Sequence, residues 1–234
     1  MIRGNQITVI IPTYNSQDYI SKAINSVKSQ LEEDINIIIS DDGSTDNTVS
    51  IAKECGVKVI VGEHKGASSA RNMALEFLDT PYFFFLDSDD ILCEDAFKTF
   101  IEIMDNDDTV MAVFAMAVDF ISEELSEEQK SKLLVTPRPY SGLLTGCTFM
   151  RKEVYDQIGG FKEDLCPGEV VDWMIRLRSS GLKIVQIQNI TIKRRLHLNN
   201  YGRREKKNEA RNIAAILRAR MMEARDGKQK SVSD

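Results

Sequence analysis

Tyr82-Phe83-Phe84-Phe85-Leu86-Asp87-Ser88-Asp89-Asp90 passes from five apolar or aromatic residues straight into three carboxylates within four positions. The first part suits a strand buried on both faces, introduced by Pro81. The second part belongs where such a strand exits. Carboxylates this close repel one another unless a cation or ligand donors neutralise them. Acids spaced two apart at a strand end can divide the work. One faces the sugar of a nucleotide, and the other faces a divalent metal that neutralises a diphosphate through oxygen ligands. An isolated Asp-x-Asp also occurs in helix-capping turns, so the surrounding order decides between the readings.

Upstream, that order is a repeated alternation. Thr8-Val9-Ile10-Ile11 is a short β-branched run closed by Pro12, and Ile20, Ala23, Ile24 and Val27 follow at helical spacing. A second apolar run, 35–39, ends in Ser40-Asp41-Asp42-Gly43; Thr45 then reads as a helix N-cap, with Val49, Ile51 and Ala52 on the helix. A third strand covers 57–61, and a helix covers 68–77 before the fourth strand at 82–86. Four strand–helix alternations make a parallel sheet with right-handed crossovers and helices on both faces. Ligands of such sheets sit at the carboxyl ends of the strands, where Asp41-Asp42 and the 87–90 acids lie.

Downstream, strands are expected over 111–120 and 146–150, one or two more within 184–196, and helices over 152–158 and 169–179. Residues 122–132 read as a charged excursion. A long helix over 203–224 carries Ile213, Ile216, Leu217 and Met221 along one stripe, which should dock on the body or on a second subunit. No repeat or low-complexity linker divides the chain, so one domain with a C-terminal helix is expected.

Hydrophobic residues at 42% and charged residues at 28% match an ordinary globular chain. No run approaches the roughly 20 apolar residues of a membrane span, and the N-terminal apolar run is too short for a signal peptide. Cys55, Cys93, Cys147 and Cys166 form no CxxC pair, which argues against structural zinc or a disulfide framework and for reduced thiols. The net charge of −6 conceals a basic tail: residues 193–234 carry 13 Lys and Arg against 5 Asp and Glu. Such a tail can meet an anionic lipid surface, although interspersed Glu205, Glu209 and Glu223 also fit a solvated helix. Without aromatic–basic interleaving, and with an acidic body, nucleic acid is not an expected partner.

Five motifs occur together: Val9-Ile10-Ile11-Pro12-Thr13-Tyr14-Asn15, Ser40-Asp41-Asp42-Gly43-Ser44-Thr45-Asp46, Gly66-Ala67-Ser68-Ser69-Ala70-Arg71-Asn72, Leu86-Asp87-Ser88-Asp89-Asp90 and Gly159-Gly160-Phe161. In this order they resemble a family 2 glycosyltransferase with the GT-A fold, strongly over 8–90 and more loosely over 146–200. The resemblance implies an α/β, Rossmann-like, mostly parallel sheet. It implies a transferase domain over 1–200, divided into a nucleotide-sugar-binding half (1–110) and an acceptor half (111–200), with a basic helix and tail over 201–234.

The resemblance also implies a UDP-sugar donor, Mn2+ or Mg2+, inversion, and transfer of a hexose or N-acetylhexosamine to a hydroxyl. The acceptor would be a glycan, a lipid-linked saccharide or a peptide. By position, Pro12 and Tyr14 would line the base, Asp42 would accept from the uracil ring N–H, and Arg71 would reach base or diphosphate. Asp87 would face the ribose, Asp89 would bind the metal, and His197, within Arg194-Arg195-Leu196-His197, would complete the metal site. His64, after Gly62-Glu63, reads as incidental, although in its loop it could approach the donor.

The family's adjacent Glu-Asp pair, expected to supply the base, is altered: in Pro167-Gly168-Glu169-Val170-Val171-Asp172-Trp173 its second member is Val170. Glu169 and Asp172 share a helix face. Either can serve, with Asp172 slightly favoured because Trp173 beside it would offer an acceptor platform. A cytoplasmic protein, peripheral at the inner membrane face and able to form a homodimer, is expected. A degenerate nucleotide-sugar-binding module or partner subunit is the alternative that Val170 favours. A nucleotidyltransferase is disfavoured because Thr13-Tyr14-Asn15 is no Gly-rich basic loop.

Overall fold

A computed structural model describes residues 1–141, 144–165, 167–200 and 213–214. The first half contains β1 (Ile7–Thr13), α1 (Ile20–Lys28), β2 (Asn36–Asp41), α2 (Thr48–Glu54), β3 (Lys58–Val61), α3 (Ala67–Leu75) and β4 (Tyr82–Phe85). β5 (Ile91–Leu92), α4 (Ala96–Asn106), β6 (Ala112–Ile121), α5 (Glu127–Ser131), β7 (Thr148–Arg151), α6 (Lys152–Ile158), α7 (Glu169–Arg178) and β8 (Ile184–Leu196) follow. The eight strands form one sheet in the order β3-β2-β1-β4-β7-β6-β8-β5. β3, β2, β1 and β4 are parallel neighbours, β7 is antiparallel to β4 and β6, and β8 runs parallel to β6.

The period-2 alternation of β4 explains how helices cover both faces. Phe84 joins the cluster of Val9, Ile11, Ile24, Phe97 and Phe100 beneath α1 and α4. Phe83 and Phe85 join the opposite cluster of Ala74, Leu75, Val154 and Trp173 beneath α3, α6 and α7. A strand buried on both faces therefore reads as an unbroken apolar run.

β1 continues through Pro12 to Thr13, two residues beyond the end expected from sequence. Ile10 O accepts from Leu86 N, whereas Thr13 O accepts from Asp42 N on the β2 side. By alternation, the missing N–H of Pro12 faces the β4 side, where the ladder has already stopped at Ile10 and Phe85. No bond is forfeited there. β1 and β4 thus part at their carboxyl ends. Because the chain runs from β1 outward to β2 and β3 and then returns to β4 on β1's other side, this parting is the sheet's switch point.

α2 begins at Thr48, so Thr45 does not cap it; Thr45 N instead donates to Asn15 Oδ1 at 2.8 Å, and Thr48 N donates to Asp46 Oδ1 at 2.9 Å. Within the expected excursion, Ser126 and Gln129 form a reciprocal cap on the short α5. The expected helix over 203–224 lies outside the described residues except for Ile213 and Ala214, which are helical. Among the described residues no helix is long and apolar enough to cross a membrane.

Candidate donor and metal site

The loops after β1, β2 and β4 meet at the switch point, and hydrogen bonds fix them to one another. Asn15, in the left-handed region at φ 47°, donates its N–H to Ser44 Oγ at 2.8 Å. Ser44 N donates to Asp41 Oδ2 at 2.8 Å. Ser16 Oγ and Ser88 Oγ lie 2.8 Å apart, tying the β1 exit to the acidic loop. Asp41 and Asp42 therefore differ in role. Asp41 is fully buried and holds its own turn. Asp42 accepts from Lys65 N at 2.8 Å and Gly66 N at 2.9 Å, which draws the entry loop of α3 onto its carboxylate.

Tyr14 projects from the rim at 40% exposure, stacked on His64 with ring centroids 4.2 Å apart. Pro12 lies beneath it in β1, fully within the sheet.

Arg71 connects two carboxylates. Its Nη1 donates to Glu169 Oε1 at 2.9 Å and its Nη2 to Asp87 Oδ1 at 3.3 Å. The Phe161 ring lies 5.4 Å from the guanidinium carbon. Phe161 is held in turn by Asn72, which donates from Nδ2 to Phe161 O at 2.8 Å and accepts from Phe161 N at 2.7 Å. The two motifs 66–72 and 159–161 are thus one contact. A Cβ on Gly160 would stand 2.5 Å from Asn72 Oδ1, so any other residue there would push the amide off Phe161. Arg71 Nε is buried without a partner, as are Ser68 Oγ one turn earlier on α3 and Thr13 Oγ1 at the end of β1. Buried polar atoms left unpaired cost free energy unless a ligand completes them.

Asp89 is held from β8's end. His197 Nε2 lies 2.9 Å from Asp89 Oδ2, and Asn200 Nδ2 donates to the same oxygen at 3.1 Å. Asn200 also accepts from His197 N at 2.7 Å. Arg195 fixes the register, donating its N–H to Asp90 Oδ1 at 2.9 Å and its Nε to Asp89 O at 2.8 Å. Burial, reinforced by the charges of Asp89 and Asp87, pushes the Asp90 carboxyl well above its ordinary range, against the Arg195 hydrogen bond and the Arg194 charge. An acidic edge under this pressure attracts a cation. Among the described residues no three His, Cys, Asp or Glu side chains converge on one point. The protein's share of a metal site would be the pair Asp89 and His197, which suits an ion whose other positions go to phosphate oxygens and water.

Glu169 and Asp172 part company. Glu169 faces Arg71, with Gly168 N donating to its other oxygen at 3.0 Å. Asp172 is buried and accepts from Arg176 Nε at 2.8 Å and Lys162 Nζ at 3.3 Å. The reason for favouring Asp172 does not hold: Trp173 is fully buried, stacked on Phe161 with centroids 5.2 Å apart, and its Nε1 donates to Gly159 O. It is core, not a platform. Val170 packs against the same apolar cluster. Sequence reasoning assigned no role to Asn200 and did not expect the Tyr14 and Asp42 contacts of His64. An asparagine three residues beyond the late histidine is a visible signal for the first; nothing in Glu63-His64-Lys65 signals the second.

A model of glycosyl transferase family 2 matches residues 8–159. A teichoic acid poly(glycerol phosphate) polymerase of Staphylococcus epidermidis is 38% identical over 115 residues, covering 46% of this chain and 16% of that protein. An uncharacterized glycosyltransferase of Rickettsia prowazekii is 30% identical over 205 residues, covering 82% and 64%. The chain thus spans less than two thirds of the curated relatives it matches.

Among solved structures, S. aureus TarS 1–349 in complex with UDP-GlcNAc superposes with a TM-score of 0.68 at 21% identity, covering 83% of this chain and 60% of that one. The glucosyl-3-phosphoglycerate synthase of Mycobacterium tuberculosis, in complex with Mn2+, UDP and phosphoglyceric acid, gives 0.63 at 20% identity, covering 92% and 78%. The fold is that of the GT-A transferases, and the family model runs from β1 through the switch point to Gly159, so the chain belongs to glycosyl transferase family 2.

Proposed function

We propose that the chain transfers a sugar from a UDP-sugar to a hydroxyl, with a divalent metal and with inversion. The observation that carries this is the convergence at one switch point of three separate preparations for a nucleoside diphosphate. They are an exposed aromatic over a buried acceptor (Tyr14, Asp42), an arginine with an unused buried donor (Arg71), and an Asp–His pair (Asp89, His197). Residues 1–110 supply nearly all of it. Residues 111–200 supply Glu169 and His197, and the acceptor enters on their side.

Asp89 and His197 would hold Mn2+ or Mg2+; the ion's chemistry is to neutralise the departing diphosphate. Arg71 faces the same phosphates, and Asp87 the ribose. Glu169 is the carboxylate placed to take the acceptor's proton as the hydroxyl attacks the anomeric carbon. Arg71 holds one of its oxygens, and Gly168 N orients the other. The acceptor, a glycan, lipid-linked saccharide or peptide, is drawn from the family resemblance. Peripheral membrane contact through the 201–234 tail and homodimer formation are further proposals of the same standing.

The second reading, a nucleotide-sugar-binding module without turnover, is favoured by Val170, which puts an apolar side chain against the core at the family's second acidic position. Donor hydrolysis across UDP-, GDP- and TDP-sugars with Mn2+ separates the readings. Release of UDP supports the transferase. Binding without hydrolysis or transfer leaves the module, and recovery of hydrolysis in Val170→Asp would locate the loss.

A further inference from the structure

His64 already makes the two contacts expected of the nucleobase. Its ring stacks on Tyr14 at 4.2 Å with the planes 23° apart, and its Nδ1 lies 3.2 Å from Asp42 Oδ2. A uracil at this site would use the same aromatic face and the same carboxylate oxygen. The Asp42 side chain is only 8% exposed, whereas the imidazole above it is 60% exposed. Lys65 N donates to Oδ1 and Gly66 N to Oδ2, and His64 Nδ1 also lies 3.1 Å from the Asp42 backbone O, so a ring N–H at Oδ2 would share that oxygen with Gly66 N and would meet the imidazole there.

The backbone beneath the ring lies in the left-handed region, φ 55°, which histidine enters more readily than most side chains. Gly43, itself at φ 78°, lets the two loops approach: a Cβ there would meet His64 N at 3.2 Å and His64 Cβ at 3.4 Å. An exposed ring resting on a buried acceptor is positioned to leave.

We propose that His64 occupies the nucleobase seat in the ligand-free chain, and that a pyrimidine with a ring N–H binds by displacing it from Tyr14 and Asp42. The inference rests on the UDP-sugar reading and adds a competitor to it. The apparent dissociation constant is the intrinsic one divided by the fraction of molecules with the seat vacated, so removing the ring strengthens binding.

The test is calorimetric titration with UMP and with UDP, without metal, on the full chain and on His64→Gly and His64→Asn. Both substitutions tolerate positive φ, so the loop keeps its shape, and circular dichroism verifies the fold. The expected result is tighter binding in both variants, by about tenfold. Unchanged or weaker binding in folded variants would overturn the proposal, because the imidazole would then be a bystander or a wall of the base pocket. If neither wild type nor variants bind UDP, with or without Mn2+, the donor reading itself fails and His64 loses its competitor role with it.

Discussion

The two histidines of the chain each rest on an aspartate of the same cleft, and they are built in opposite ways. His64 is mostly exposed, sits in a loop at positive φ, and is tied to Asp42 through one ring nitrogen. His197 is 10% exposed, follows a thirteen-residue strand, and is locked by Asn200, which bonds both the His197 backbone and Asp89. Tyr19 packs on its ring, with centroids 4.8 Å apart. The end of the site proposed for the base is provisional, and the end proposed for the metal is fixed. A flat nucleobase can replace a ring with a ring. An ion gains most from ligands already oriented, because reorienting them would consume binding energy.

The largest effect should come from the carboxylate between the two ends. Glu169→Gln keeps shape and removes basicity, so turnover should fall about 100- to 10,000-fold with UDP affinity nearly unchanged. Asp172→Asn is the contrast. It weakens an internal ion pair with Arg176 and Lys162, so a lower melting temperature is expected, with turnover of the folded fraction retained. Steady-state rates and melting curves on both variants decide the matter; loss of turnover in a fully folded Asp172→Asn with an active Glu169→Gln would exchange the assignments.

Next in size, Asp89→Ala should abolish whatever part of UDP binding responds to EDTA. A calorimetric curve equal to wild type would remove Asp89 from the metal site.

At the fixed end, His197→Ala should weaken Mn2+ binding about 10- to 100-fold while circular dichroism stays native, and Asn200→Ala should do the same to a smaller degree through ligand orientation. Manganese paramagnetic resonance reads the affinity. If His64→Gly lowers manganese affinity as much as His197→Ala does, the contrast between the two ends collapses.

These expectations show what the sequence carries and what it leaves out. Asp42, Asp87 and Asp89 are legible because each follows an apolar run, and a strand end is where a parallel sheet binds. Arg71 and His197 are legible only through the motif order, since their partners lie far away in the chain. Glu169 meets Arg71 at a separation of 98 residues, and Asp89 meets His197 at 108. Trp173 misled because a tryptophan beside a carboxylate reads alike whether it faces a cleft or Phe161. Pro12 reads as a strand end because a local pattern cannot show that the neighbouring ladder has stopped at Ile10 and Phe85. His64 depends on a backbone angle that Glu63-His64-Lys65 does not announce.

The smallest predicted effect is one of stability. The Asp90 carboxyl is raised in the folded chain, so ionising it opposes folding; stability present at low pH is lost as pH rises from the ordinary carboxylate range toward the raised value. Without metal, Asp90→Asn keeps the oxygen that accepts from Arg195 N and removes the charge. Its melting temperature should exceed wild type near pH 8 by a few degrees or less and converge with it near pH 4. A variant that melts lower at pH 8 would show that Arg195 needs the charge.

The sheet ends in β3 and β5, of four and two residues. β3 opens with an exposed lysine, Lys58, and β5 offers too little backbone to template a foreign strand. Along those two strands a neighbouring copy therefore finds little backbone to pair with, and a contact made there rests on side chains, which selection can tune without touching the ladder that carries the cleft.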